Sequence, residues 1–255
     1  MIIRKSAAEI EKMAAAGEIL VKTLEIVAGR IRPGVSTAEL DEAAESYIRS
    51  QGAVPAFKGY HGFPASICAS PNSMVVHGIP DPTKLDRGDI ISVDVGVTLD
   101  GWVADAARTF AVGDVSDEAQ KLMRVTEASL HAAVDACQVG GRLGDISNAV
   151  QTCVEGEGLG IVRSLVGHGI GRDMHEDPQV PNYGPAGKGP KLEEGMVLAI
   201  EPMVSVGSPE VHVGDDQWSV YTDDGSLAAH FEFTVAITSG APRILTPWHE
   251  SADAA

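Results

Sequence analysis

The sequence predicts an α+β fold in which two related halves build one curved antiparallel sheet, with helices on its outer face and a cleft between the halves. Two observations carry this prediction. Helical patterns occur in pairs, and each pair is followed by strand-like segments. In addition, residues 84–94 match residues 191–201 at an offset of 107. The pseudo-two-fold repeat predicts halves at about 7–112 and 117–240 of a single catalytic domain spanning 1–255.

The first half opens with two predicted helices. A capping box at residues 6–9 begins the first, and its apolar pattern continues to Ile31 before Pro33 and Gly34 stop it. A second box at residues 36–39 begins another helix that ends near Gly52.

The second half repeats this order. A helix is predicted over about 117–137, a break at Gly140 and Gly141, and a shorter helix to about Gly156, followed by more strands. The small, polar residues 249–255 resemble a disordered tail.

A hairpin is predicted to bring two carboxylates together. Residues 89–98 alternate between apolar and polar side chains, which indicates a half-buried strand, and Asp100-Gly101 is typical of a type I′ turn. Leu99 then pairs with Trp102. In that register Asp94 and Asp105 share a face and lie diagonally, with Cα atoms roughly 7 to 8 Å apart.

Two anions side by side repel each other unless a cation or a shared proton lies between them. A metal ion resolves this, whereas the alternative is a pair of solvated surface acids. The repeat adds two more acids: Glu201 occupies the position equivalent to Asp94, and Glu232 faces away from the apolar side of a predicted strand at 227–237. Among glycines at 167–171, His168 is either a packed loop histidine or a ligand, and this donor set favours Mn, Fe, Co or Zn.

Composition excludes several classes of protein. A net charge of −17 argues against nucleic-acid binding. Three cysteines do not form the paired framework of a small secreted scaffold, and no run of 18 apolar residues indicates a membrane span. We therefore expect a cytoplasmic protein without a membrane partner.

The order and surroundings of these residues resemble the bacterial type I methionine aminopeptidases over roughly residues 3–246. The matching strings are GYHGFP at 59–64, VHGIP at 76–80, GHGIG at 167–171, HE at 175–176 and IEPM at 200–203. The resemblance implies the pita-bread (creatinase/aminopeptidase) fold and removal of initiator methionine from nascent polypeptides near the ribosome, preferably before a small second residue. We also expect a monomer.

The resemblance further implies two divalent ions per chain, drawn from Co, Mn, Fe, Zn or Ni. Asp94 would bind one ion, His168 and Glu201 the other, and Asp105 and Glu232 would bridge both. Such a pair supplies a reactive water at neutral pH, and Glu201 would accept its proton.

The remaining implied site residues contact the substrate. His77 would contact the scissile amide nitrogen and His175 would stabilise the oxyanion; taken singly, each is as readily an ordinary loop histidine. The implied methionine pocket has Tyr60, Phe63, Cys68 and Trp218 as walls, with Phe57 and Met174 nearby; the alternative for its aromatic residues is core packing.

Some positions depart from the family pattern: they leave the ligands unchanged but affect pocket shape, the hydrogen bonds around the ligands and metal preference. They are Phe63, Gly96, Met174 and Phe233.

Two other functions remain open at this point. One is a pita-bread peptidase that cleaves Xaa-Pro bonds, although such chains usually carry a large domain before the first metal aspartate. The other is a non-catalytic binding member of the same fold, for which loss of ligand residues is expected.

Overall fold

The computed structural model describes residues 1–249, so the predicted tail lies outside the described residues except for His249. The imidazole of His249 packs on the ring of Phe233, with centroids 5.1 Å apart. The helices are α1 (Ala7–Ala28), α2 (Thr37–Ser50), α3 (Asp117–Asp135) and α4 (Leu143–Gly156).

Both capping boxes of the first helix pair are confirmed. The Glu9 carboxylate accepts from the Ser6 backbone N–H at 2.8 Å, and Ser6 Oγ accepts from the Glu9 N–H at 3.4 Å. The boundaries differ slightly from the prediction, because α1 ends at Ala28 although its apolar pattern runs to Ile31. The segment beyond Ala28 continues as a turn.

Fifteen short strands are present among residues 1–249. They are β1 (Val54–Pro55), β2 (Ile67–Pro71), β3 (Met74–Val76), β4 (Ile90–Leu99), β5 (Trp102–Ala111), β6 (Gly160–Ile161), β7 (Gly167–Gly169), β8 (Glu176–Val180), β9 (Val197–Ile200), β10 (Met203–Ser205), β11 (Val211–Val213), β12 (Val220–Thr222), β13 (Ala228–His230), β14 (Phe233–Ala236) and β15 (Arg243–Ile244). A single 3-10 turn spans Tyr60–Gly62.

These strands form antiparallel sheets. One sheet orders β1, β4 and β2, with β5 also on β4, and another orders β15, β14, β9, β7 and β8. Two three-stranded sheets, β13-β10-β6 and β11-β12-β3, complete the described part. The predicted continuous sheet is thus divided into shorter hydrogen-bonded pieces.

The predicted register of the hairpin between β4 and β5 is confirmed. Leu99 pairs with Trp102, Gly96 with Asp105, and Asp94 with Ala107. Both turn residues have positive φ, 50° at Asp100 and 75° at Gly101, as a type I′ turn requires.

The polar face of β4 is more buried than the predicted half-buried strand: Ser92 and Gly96 are buried, whereas Asp94 and Thr98 are partly exposed. Ser92 is 2% exposed, and its Oγ lies 2.9 Å from Oγ1 of Thr109 on β5. The second half of the chain covers this face: Asp105 N donates to Thr234 Oγ1, Glu232 N to Ala107 O, and His230 N to Thr109 Oγ1. This seam brings residues 105–109 alongside residues 230–234.

The strand predicted at residues 227–237 is interrupted, because Phe231 and Glu232 separate β13 from β14. The break arises where the Glu232 N–H donates to Ala107 of β5. A similar break at Glu201 and Pro202 separates β9 from β10, because proline has no N–H with which to extend the hydrogen-bond ladder. The predicted apolar face is confirmed: Ala229, Phe231, Phe233, Val235 and Ile237 all belong to the main core.

The helices pack on the sheets as the amphipathic patterns predict. Helix α1 packs against β4 and β5, α3 against β13, and α4 against β6. Among the described residues, no helix is both long and apolar enough to cross a bilayer.

Candidate active site

One cavity collects the candidate site residues predicted from the sequence. Its volume is about 210 Å³, and its walls come from both halves of the chain. The lining residues are Phe57, Tyr60, His61, Phe63, Cys68, His77, Asp94, Asp105, His168, His175, Glu201, Trp218 and Glu232.

Each acid reaches this cavity from a strand or a strand break. Asp94 and Asp105 project from the hairpin of β4 and β5, Glu201 follows β9, and Glu232 precedes β14. Asp105 is 5% and Glu232 2% exposed. The seam between residues 105–109 and 230–234 explains why acids distant in sequence meet here.

Several acid oxygens are buried without a hydrogen-bond partner. These atoms are Asp94 Oδ1, Asp105 Oδ1 and Glu232 Oε1. Buried polar atoms are nearly always paired, so unpartnered carboxylate oxygens facing one cavity indicate a site that suits a cation. Within residues 1–249, ligand atoms of Asp105, His168 and Glu232 lie within 4.8 Å of one another. The donor set fits a hard divalent cation.

Burial and crowding raise the pKa of all four acids. Burial raises the pKa of Asp94 to about 7. For Asp105, burial followed by repulsion from Glu232 and Asp94 raises the pKa well above its usual value. The pKa values of Glu201 and Glu232 are also raised, first by burial and then by neighbouring carboxylates. The cluster therefore favours a bound cation over four free carboxylates.

His168 directs one ring nitrogen at these acids. Its Nδ1 lies 2.9 Å from the Gly169 carbonyl, which can only accept, so Nδ1 carries the proton. Its Nε2 lone pair then faces Asp105 Oδ2 at 3.9 Å and Glu201 Oε1 at 3.6 Å. Burial lowers the pKa of His168 to about 4, which keeps the ring neutral as a metal ligand requires.

His77 and His175 lie at the cavity beside the acids. The ring of His175 lies 4.2 Å from that of His168 between centroids. Its Nδ1 is 2.8 Å from the hydroxyl of Tyr60. Tyr60, which the sequence analysis assigned to the apolar wall, therefore also orients His175. Burial lowers the pKa of His77, which favours its neutral form.

The apolar end of the cavity adjoins the acids directly. Phe63 and Trp218 meet edge to face, with centroids 5.2 Å apart. Cys68 on β2 pairs with Asp94 on β4, which places a small thiol side chain next to the first acid. Phe57 and Phe63 contribute to the core and the cavity at once, so both interpretations of these residues apply.

The neighbours of Gly96 leave no room for a side chain at this position. A Cβ at this position would lie 2.7 Å from Phe57 Cε1, 2.8 Å from Met174 Cε and 3.1 Å from Ala56 Cβ. The departures from the family pattern at Gly96 and Met174 are therefore linked, since Met174 occupies space that a larger residue 96 would need.

Replacing Gly96 with threonine should force Phe57 and Met174 away from their positions and destabilise the protein by roughly 1 to 3 kcal/mol. Thermal unfolding would report the change as a lower Tm. The control is Gly156→Ala, where a Cβ meets nothing within 4 Å. Equal stability of the Gly96 variant and wild type would show that the contact is not restrictive.

Sequence reasoning missed His230. The side chain is 2% exposed, both ring nitrogens lack a hydrogen-bond partner, and Nε2 lies 3.7 Å from Glu201 Oε2 and 3.9 Å from Glu232 Oε2. Burial lowers its pKa to about 3, so the ring is neutral. The alternation of residues 227–237 held the signal, because His230 occupies the same face as Glu232.

Comparisons with known proteins agree with this geometry. The model of metallopeptidase family M24 matches residues 11–239. Methionine aminopeptidase of Clostridium acetobutylicum is 56% identical over 247 residues, which is 96% of this chain and 99% of the relative. The crystal structure of methionine aminopeptidase from Thermotoga maritima has a TM-score of 0.95 and 44% identity, covering 96% of this chain and 99% of that one.

A prolidase from Pyrococcus furiosus shares the fold with a TM-score of 0.79 at 24% identity, and the match covers 65% of that chain. That likeness concerns the fold alone. Together with the family match it confirms the predicted α+β pita-bread fold. The extent and identity of the matches show that the chain belongs to metallopeptidase family M24, and within that family to the methionine aminopeptidases.

Proposed function

We propose that this chain removes the N-terminal methionine of proteins and peptides by hydrolysis, using two divalent ions held by five side chains. Asp94 would bind one ion, His168 and Glu201 the other, and Asp105 and Glu232 would bridge them. The observation that carries the proposal is the convergence of unpartnered carboxylate oxygens and a neutral imidazole at the floor of an apolar cavity. Residues 1–249 retain all five donors, which counts against a non-catalytic role.

The bound ions would supply a water of near-neutral pKa and polarise the scissile carbonyl. Glu201 is suited to accept the proton of the attacking water, because only one of its oxygens faces His168. Oε1 lies 3.6 Å from His168 Nε2, whereas Oε2 is directed toward His230. A carboxylate whose pKa is raised by burial is a stronger base than an exposed one.

The two further histidines act on the substrate in this proposal. With Nδ1 held by Tyr60, His175 presents its other ring nitrogen for contact with the developing oxyanion. Neutral His77 is suited to contact the scissile amide nitrogen.

The apolar residues explain a preference for methionine. Tyr60, Phe63, Cys68 and Trp218 form a cavity wall that suits an unbranched, polarisable side chain. The acids lie at the same cavity, so a seated methionine brings its own peptide bond to them. A small second residue is preferred because extra volume at a packed wall costs roughly 1 to 3 kcal/mol.

We also propose the setting in which this activity operates. The net charge of −17 disfavours nucleic acid as a partner. The partners would be nascent polypeptide N-termini in the cytoplasm. The ions would be Co, Mn, Fe, Zn or Ni, and the chain would act as a monomer.

A comparison of two peptides tests the substrate. Metal-loaded protein is expected to release methionine from Met-Ala-Ser with a kcat/KM at least roughly 100-fold above its release of alanine from Ala-Pro, since only methionine fills the apolar wall. Product release followed by chromatography measures both rates, with Met-Trp-Ser as the control for the second residue. Faster cleavage of Ala-Pro would support the Xaa-Pro alternative and overturn the substrate proposal.

A further inference from the structure

A buried ion pair links the start of the chain to the segment that carries His175. Lys5 precedes α1, and Glu176 begins β8 directly after His175. We propose that Lys5 and Glu176 are positioning residues for hydrolysis, holding the segment 171–175 so that His175 faces the acids. This inference rests on the proposed function of His175.

The pair is short and shielded from solvent. Lys5 Nζ lies 2.6 Å from Glu176 Oε2, and the two side chains are 2% and 5% exposed. The other ion pairs of residues 1–249 that join lysine or arginine to an acid involve far more exposed side chains. A pair with little exposure is weakly screened by water, so its geometry is held firmly.

The second oxygen of Glu176 binds the backbone of the segment 171–175. Glu176 Oε1 accepts from the backbone N–H of Arg172 at 2.9 Å and of Asp173 at 3.4 Å. The two carboxylate oxygens therefore have different partners: Oε2 pairs with Lys5, and Oε1 accepts from the backbone of residues 172 and 173. Because charge-assisted hydrogen bonds are stronger than neutral ones, the negative charge of Glu176 strengthens both.

Lys5 is itself fixed to the second half of the chain. Its backbone N–H donates to Gly195 O at 2.6 Å, and its Nζ also lies 3.4 Å from Ile3 O. Gly195 lies just before β9, the strand that leads to Glu201. The pair thus ties the segment of His175 to the same sheet that carries the proposed base.

Packing constrains the start of this segment at Gly171, whereas Arg172, Asp173 and His175 are exposed. A Cβ on Gly171 would lie 2.5 Å from both Glu176 Oε1 and Lys5 Cε. The Gly171 carbonyl also accepts from the Val103 N–H at 2.8 Å. His175 is consequently held from two sides, by Glu176 through the backbone and by Tyr60 through its ring at 2.8 Å.

A double-mutant cycle tests the role. The variants are Lys5→Met, Glu176→Gln and their combination, each made in wild-type and in His175→Ala backgrounds. Arg4→Met is the matched control, because Arg4 is adjacent to Lys5 but pairs with Glu193 at the surface, where the side chains are 55% and 47% exposed. Circular dichroism and thermal unfolding confirm folding, and Glu176→Gln keeps the test valid if Lys5→Met does not fold.

In the wild-type background each variant of the pair is expected to lower kcat for Met-Ala-Ser roughly 10- to 100-fold, with KM changed less than about threefold, because His175 is misplaced for the reaction and the apolar pocket is intact. In the His175→Ala background the same changes are expected to lower kcat less than about twofold. Calorimetry with Mn²⁺ should give the same affinity as wild type, and Arg4→Met should behave as wild type.

Imidazole NMR of the metal-free protein provides a readout that needs no substrate. The His175 ring is expected to show one tautomer in wild type, set by Tyr60, and averaged signals when the pair is removed. An equal loss of kcat in both backgrounds, an unchanged kcat, or an unaltered His175 spectrum would overturn the positioning role. Failure of wild type to cleave Met-Ala-Ser would instead refute the proposed function, and the spectrum would still decide the role of the pair.

Discussion

Replacing Asp105 with asparagine is expected to lower kcat/KM for Met-Ala-Ser by at least roughly 10³-fold while the protein stays folded. Asp105 lies 3.9 Å from His168 and beside Glu232 and Asp94, and in the proposed centre its loss would remove a ligand shared by both ions. Asparagine keeps the side-chain shape, and the backbone N–H of residue 105 still donates to Thr234. Steady-state kinetics with measured metal content would report the loss.

The same change is expected to stabilise the metal-free protein at pH 8. Burial and repulsion from Glu232 and Asp94 raise the pKa of Asp105, so its negative charge is unfavourable in the folded state. A higher unfolding temperature together with a lower activity would show that Asp105 acts as a ligand and is not needed for folding. Asp114→Asn is the control, because that side chain is 95% exposed. Full activity of the Asp105 variant at verified metal content would contradict the proposed metal centre.

The local part of the fold could be predicted because neighbouring residues determine it. Ser6 and Glu9 form their capping box within one helical turn, and Asp100-Gly101 sets the register of β4 and β5. That register alone placed Asp94 and Asp105 on one face. The internal repeat then pointed to Glu201, the counterpart of Asp94 in the second half.

Features created by long-range contacts could not be predicted in this way. Ser92 on the polar face of β4 is buried where residues 230–234 cover the hairpin, and the alternation of β4 does not predict this cover. The break at Glu232 depends on a bond to Ala107, 125 residues away in the chain. The Lys5 and Glu176 pair joins positions 171 residues apart, and neither position belongs to a periodic pattern.

Removal of metal is expected to abolish activity and to make stability strongly dependent on pH. The unfolding temperature of the metal-free protein should fall as pH rises from 6.5 to 8.5. The unfolding temperature of protein saturated with Mn²⁺ should fall much less over the same range. Addition of Mn²⁺ or Co²⁺ should restore activity. The reason is that cations bound at the proposed site would neutralise the four acids of the cavity, which otherwise repel each other.

The direction of this dependence follows from the pKa shifts. The pKa of Asp94 is raised from 3.8 to about 7, and those of Asp105, Glu201 and Glu232 are raised well above their usual values by burial and by neighbouring carboxylates. The folded protein therefore holds protons that the unfolded chain releases, and this stability declines as pH rises.

The buried histidines act in the opposite direction but in a lower pH range. The pKa of His168 is lowered from 6.5 to about 4 and that of His230 to about 3, so the unfolded chain binds protons there that the folded protein does not. Their destabilising effect is largest below pH 6.5 and fades within about one pH unit above it. From about pH 7.5 to 8.5 the acids dominate the slope, and the cysteines, whose pKa values are raised by burial, act in the same direction near pH 8.5.

The expected size of this change in stability follows from the number of protons released on unfolding. One proton held by the folded protein and released on unfolding changes stability by about 1.4 kcal/mol per pH unit, or about 3 kcal/mol from pH 6.5 to 8.5. For a chain of 255 residues this corresponds to roughly 5 to 10 °C in Tm. Scanning calorimetry of dialysed and Mn²⁺-saturated protein measures both curves. Parallel curves of unfolding temperature against pH would mean that the acids do not share a cation. In the metal-free Asp105→Asn variant the unfolding temperature should fall less steeply with pH, because one of the four acids is gone.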